Sequence, residues 1–279
     1  MTFIVAFVGL VVERFFDWSH LRRWGWFFSY QHSLVKRIPY ASSYILLAIN
    51  IIPLLMIVVL IDFILKSFLY GILSLSFQLI FFLYCLGPHN LWADTFACIT
   101  ALTKNEEASA QEKLESTFHL TISEKNVSLQ KDFLGHLFVA ANERVFGVLF
   151  WYVVLGPLGP LLYRTISLST AKEQRPDPKL MKTAGQILSI LDWIPARLFA
   201  FLFALSGHFV EVCQTYRRYF SLSPRNNHIL LRETGLAGIS ATDAIAKNDA
   251  TIENQAINLI DRTLVVALIL VALFTLLYP

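Results

Sequence analysis

Charge is scarce in this chain: 15% of its 279 residues are Asp, Glu, Lys or Arg, whereas 56% are hydrophobic and 23 are Phe. A soluble domain of this size could not hide so much apolar surface, so composition places the protein in or on a lipid bilayer. The net charge is only +3, and no basic run with interleaved aromatics occurs, which excludes nucleic acid as a partner. Cysteine is equally sparse. Cys85, Cys98 and Cys213 lie far apart without C-x-x-C spacing, so neither a disulfide framework nor a metal site is expected. Neither G-x-x-x-x-G-K-S/T nor G-x-G-x-x-G is present, and the residues call for no cofactor. The first apolar run lacks a preceding basic segment and leads to Glu13 rather than a small-residue cleavage site, so it reads as retained.

What the chain does have is long apolar runs. Ser43 to Leu65, interrupted by Pro53, and Phe68 to Leu86 read as a helical hairpin of two spans, and Leu264 to Tyr278 as a third. The 24 residues from Val145 to Leu168 are long enough to cross, yet Gly156-Pro157-Leu158-Gly159-Pro160 breaks them at the centre. Residues 87–144 and 169–261 carry most of the remaining ionisable groups and read as polar helical regions of a single membrane domain, 1–279. The second opens on a Pro-rich linker at Arg175 to Pro178; the first includes charged runs at Lys104 to Glu107 and Glu112 to Glu115, with a loop near Asn126.

Loop charge tests the broken run. Arg14, Arg22, Arg23, Lys36 and Arg37 precede the first span; Lys104, Lys113, Lys125, Lys131 and Arg144 follow the hairpin; Lys172, Arg175, Lys179 and Lys182 follow the break. All three clusters fall on the cytoplasmic side if the chain enters, turns at Gly156 to Pro160 and returns. The expectation is therefore an all-α polytopic membrane protein with three full spans, a broken or re-entrant helical hairpin and cytoplasmic amphipathic helices. Ile187 to Leu205 contains Asp192 and Arg197, each costing about 2.5 to 3.5 kcal/mol at a helix centre, and so reads as shallow or protein-buried.

Few residues could carry chemistry, and catalytic ones cannot be named. In Leu191-Asp192-Trp193-Ile194-Pro195-Ala196-Arg197, Asp192 suits an N-cap, Pro195 the first turn, and Arg197 a position one turn in. That arrangement suffices as a helix start; it would also hold a phosphate or carboxylate. His136 and Glu143, seven residues apart, project from one helix face beside Asn142. They read as a solvated face at the headgroups, or as a polar pocket shared with Arg197 and Arg164. His208, Glu211, Thr215 and Arg218 make a polar stripe opposite Phe209, Val212, Cys213, Tyr216 and Phe220, as in an interfacial helix. Asp62 and Lys66 form an i, i+4 pair, and Trp18, Trp24, Trp26 and Tyr30 beside Arg22 and Arg23 read as headgroup anchors.

The run Leu191 to Leu198, Phe201 to His208, Phe150 to Pro157 with Tyr163-Arg164, and Leu10 to Arg14 together resemble the AmpE family of bacterial inner-membrane proteins. The resemblance implies a multi-pass inner-membrane protein tied to β-lactamase induction and peptidoglycan-recycling signalling, with a regulatory protein as a partner and a phosphorylated or carboxylated small ligand as another. Distant relatives of that family, the CobD/CbiB proteins, form an amide bond in cobalamin synthesis with ATP. Their acidic E-N-T-V-D-G motif corresponds here to Asn142-Glu143-Arg144-Val145-Phe146-Gly147, and their N-T-L-D to Ser167-Leu168-Ser169-Thr170. The carboxylates such an enzyme needs for Mg²⁺ are missing at those positions, which favours a non-enzymatic reading.

Overall fold

The computed structural model describes residues 2–38, 42–66, 71–87, 89–103, 129–171, 177–239 and 252–277, and every regular element among them is a helix. The charged runs at 104–107 and 112–115, the loop near Asn126 and the first half of the Pro-rich linker fall outside these residues. The chain forms two compact units, one from Met1–Pro88 with Gly147–Leu191, the other from His89–Phe146 with Asp192–Pro279.

In the first unit, α1 (Thr2–Phe15) buries Val5, Ala6, Gly9, Leu10 and Glu13, a stripe at spacings of three and four that faces α4 (Ile72–Cys85). Gly9 is required there, because a Cβ would sit 2.6 Å from the Phe82 ring. A short α2 (Gly25–Arg37) leads to α3 (Ser43–Lys66), whose Leu46, Leu47 and Ile51 pack with Ile166, Leu180 and Ala184. The opposite face of α3 exposes Ile52, Met56, Leu60 and Phe63, an apolar surface that lipid would cover. The broken run resolves into α7 (Gly147–Leu155) and α8 (Leu158–Leu168), which pack closely on one another, and α9 (Pro178–Leu191) covers α3 and α8. The turn between α7 and α8 needs Gly156, whose φ is +60°.

The second unit contains α5 (Leu91–Thr103), α6 (Leu129–Ala141), α10 (Trp193–Ser206), α11 (Phe209–Tyr219), α12 (Asn227–Gly238) and α13 (Ile252–Leu277). Its centre is a column of rings: Phe138 lies 5.3 Å from Phe203, Phe203 4.6 Å from Phe199, and Phe199 4.5 Å from Phe146. Gly235 admits the Phe138 ring, and Gly207 lies against the Gly238 carbonyl, so α10, α11 and α12 meet at small residues.

Among the described residues, three helices are long and apolar enough to cross a membrane: Ser43–Lys66, Gln130–Leu155 and Ile252–Leu277. A fourth candidate is the pair α9 and α10, taken together across the break at Asp192. The number of spans agrees with the sequence reading, but not every boundary does. The apolar run from Phe68 yields a helix of 14 residues, which at 1.5 Å per residue reaches only about 21 Å. Gly71, at φ 81°, starts it late, and residues 67–70 are outside those described. The third helix of spanning length begins instead at Gln130 and ends at the Gly156 break.

Candidate functional site

Between α6 and α7 the helix widens into a π turn, Asn142–Phe146. Such turns insert a residue into the helical ladder and frequently mark functional positions. This one falls on the run likened above to the acidic motif of the cobalamin enzymes. Phe146, 4% exposed, stacks nearly parallel on Phe199, their planes 19° apart. Arg144 donates to Asp94 Oδ2 at 2.7 Å, and Asn142 Nδ2 reaches Asp192 Oδ1 at a long 3.5 Å. Glu143 is exposed, whereas His136 is part-buried among Asp132, Arg232 and His228. Asp132 and Arg232 form an ion pair at 2.5 Å.

Asp192 occupies the N-cap position of α10, but its side chain makes no capping bond; its backbone carbonyl accepts from Ala196 N. Pro195 stands in the first turn, where its missing N–H costs nothing. Arg197 turns inward. Nη1 donates to the Trp193 carbonyl and Asn227 Oδ1, each at 3.1 Å, and Nη2 to the carbonyls of Phe220 at 3.0 Å and Leu222 at 2.8 Å. The guanidinium also lies 4.4 Å from the centre of the Trp193 ring. All four terminal N–H bonds thus end on protein acceptors, so an anion at this helix start would have to displace them.

Arg164 belongs to the first unit, whereas Asn142, Asp192 and Arg197 belong to the second. Its Nε donates to the Cys85 carbonyl at 2.7 Å. Close by, Arg22 grips both carboxylate oxygens of Glu13 and donates to the Gly87 carbonyl at 3.0 Å, with Glu13 1% and Arg22 4% exposed. Arg22, which stands beside the aromatics read as headgroup anchors, is therefore a buried partner of Glu13. Trp24 is buried too, 4.7 Å from Tyr84, whereas Trp18 and Trp26 are exposed. Sequence reading placed Glu13 in a recognisable pattern but had no signal for its partner.

A second polar chain in this unit starts from a pair that spacing does show. Asp62 Oδ2 meets Lys66 at 2.9 Å, while Oδ1 accepts from Ser74 at 2.9 Å and Gln78 at 3.0 Å; the Gln78 carbonyl oxygen accepts from Tyr152 at 2.9 Å. Every member except Lys66 is buried, so α3, α4 and α7 are joined by polar groups that have no water to fall back on. Among the described residues, no three His, Cys, Asp or Glu side chains converge as a metal would require.

An all-helical chain with spanning helices and internally satisfied polar knots is a polytopic membrane protein, surrounded by a lipid bilayer. The model of the family described as "Regulatory signalling modulator protein AmpE" matches residues 1–278, and the chain belongs to that family. It is similar to Protein AmpE of Shigella flexneri, 26% identical over 154 residues that cover 52% of this chain and 54% of that protein. It is also similar to Cobalamin biosynthesis protein CobD of Chromobacterium violaceum, 28% identical over 104 residues, 36% of this chain and 33% of that protein. The matched stretches thus span only half and a third of these relatives. No solved structure matches the chain.

Proposed function

We propose that this chain is a non-enzymatic regulator in a bacterial inner membrane, acting in β-lactamase induction and peptidoglycan-recycling signalling through a regulatory protein partner or a phosphorylated or carboxylated ligand. The observation that carries the non-enzymatic part is the Phe146–Phe199 stack. Where the cobalamin enzymes' motif has its second acid, this chain buries an aromatic ring against another, at 4.5 Å. Of the neighbouring polar groups of the π turn, Arg144 pairs with Asp94 and Asn142 Nδ2 reaches Asp192, while Asn142 Oδ1 is buried without a partner among the described residues. A Mg²⁺-nucleotide needs carboxylates facing an open, polar space, and a ring stack supplies neither.

The similarity to CobD keeps one alternative, an ATP-dependent amide-forming ligase. The test is purified protein in lipid nanodiscs, assayed for Mg²⁺-ATP binding and for adenosylcobinamide-phosphate amide formation, alongside a β-lactamase induction reporter in cells lacking the gene. The regulatory reading expects no turnover, with induction altered by the deletion and restored by the wild-type chain. Turnover that disappears in Arg197→Ala, with induction unchanged, would establish the ligase instead.

A further inference from the structure

A cavity of about 350 Å³ opens in the second unit, apart from the π turn and from the Arg197 clamp, where α10 ends, α11 begins and the polar start of α13 passes. Its polar wall is Ser206, His208, Gln255, Asn258 and Arg262, with Gly207 and Gly238 forming the floor. Two features set it apart from an ordinary surface dent. The Ser206 hydroxyl is shut off from solvent and has no hydrogen-bond partner in the protein. Arg262 is exposed at the rim and makes no ion pair with any described residue. Among the described residues, no lining side chain is a carboxylate, and the fixed side-chain charge they place on the wall is positive. The glycines matter as well, since a Cβ on Gly207 would lie 2.5 Å from the Gly238 carbonyl oxygen, and the close packing this allows shapes the floor.

The position along α13 says what kind of molecule meets this wall. The helix is polar from Glu253 to Thr263 and apolar from Leu264 onward, so Arg262 stands where a spanning helix leaves the headgroup layer. Leu205, Phe209, Val210 and Val265 are exposed apolar residues next in sequence to, or one turn from, the lining residues. A polar cavity with an arginine at its mouth and exposed apolar side chains beside it matches an amphipathic anion: a phosphate to meet Arg262, hydroxyls to meet Ser206 and the two amides, and hydrocarbon alongside.

We infer that this cavity binds a phosphate group, presented either by an anionic phospholipid of the surrounding bilayer or by a small soluble phosphoester. The inference does not rest on the regulatory reading, because a ligase with this fold would carry the same cavity. It is tested on the full chain in nanodiscs made with and without phosphatidylglycerol, by native mass spectrometry of the released protein, and with inorganic phosphate as the soluble probe. Wild type is expected to retain phosphatidylglycerol, with Arg262→Gln lowering retention about tenfold, as losing one charge-assisted contact does. Asn258→Leu, which keeps the charge, is expected to weaken it as well, while Arg217→Gln on the exposed side of α11 leaves it intact. Retention that resists inorganic phosphate identifies the lipid as the source. Phosphate binding in discs of phosphatidylcholine alone, with the same dependence on Arg262, identifies the soluble group. Equal retention in wild type, Arg262→Gln and Asn258→Leu, or equal loss in Arg217→Gln, overturns the site.

Discussion

Gly159 lies so close to Trp151 that a Cβ on the glycine would be 1.9 Å from the tryptophan's carbonyl oxygen. Gly156, three residues earlier, has open space around it but a φ of +60°. The two glycines of one turn are therefore required for different reasons, and substitution separates them. Gly156→Ala pays for a left-handed backbone, about 1 kcal/mol. Gly159→Ala must push α7 and α8 apart and is expected to cost about 3 kcal/mol or more. Thermal unfolding of both variants in detergent checks the order; equal losses would mean that the close approach is relieved easily.

The depth of that turn is the second prediction. From Gly147 to Leu155, α7 has nine residues, which span about 14 Å, roughly half of a 30 Å hydrocarbon core. With Arg144 held by Asp94 at the entrance to α7, the tip is expected to stop inside the bilayer. Val154→Cys, in a Cys213→Ser background, should then resist a membrane-impermeant thiol reagent applied from either side. Reaction from the side opposite the α7 entrance would instead make Gln130–Leu155 a full crossing.

The buried Glu13–Arg22 pair gives a third. Removing one partner of a buried pair leaves an uncompensated charge and costs about 3–5 kcal/mol, whereas replacing both with apolar groups costs much less. Glu13→Gln is expected to lose stability in that range, and Glu13→Leu with Arg22→Met to lose less than the sum of the single changes. A double-mutant cycle from thermal unfolding reads the coupling, and additive losses would show that the pair contributes nothing as a unit.

A fourth concerns the chain from Lys66 to Tyr152. Lys66 is 63% exposed, so Lys66→Ala is expected to change stability by less than about 1 kcal/mol. Tyr152→Phe removes the donor to a buried Gln78 oxygen and is expected to cost about 1–3 kcal/mol despite keeping the ring. If the lysine matters more than the tyrosine, the buried part of the chain is not what holds the helices.

These cases also show where the sequence was readable. The break at Gly156 announces itself, because glycine and proline act on the backbone at the place where they stand. The Asp62–Lys66 pair is equally local, one helical turn apart. Ser74, Gln78 and Tyr152 complete that chain from 12 to 90 residues away, and nothing in their own neighbourhoods marks them. The pattern of α11 reads as an interfacial helix, and its apolar side buries Val212 while Phe209 and Phe220 remain exposed, since the pattern fixes a face but not what covers it. Trp24 was misplaced for a related reason: a tryptophan beside an apolar run reads the same whether it faces headgroups or the protein interior.

The Arg197 clamp bears on the order in which the protein can be made. Its acceptors at Phe220, Leu222 and Asn227 follow it by 23, 25 and 30 residues. When α10 has just left the ribosome, those three acceptors are still inside it, and an uncompensated guanidinium resists entry into hydrocarbon. The helix must then wait at the membrane surface, or beside another chain, until α11 and the start of α12 emerge. One side chain thereby acts as a checkpoint in biogenesis, admitting α10 only with the segment that completes it.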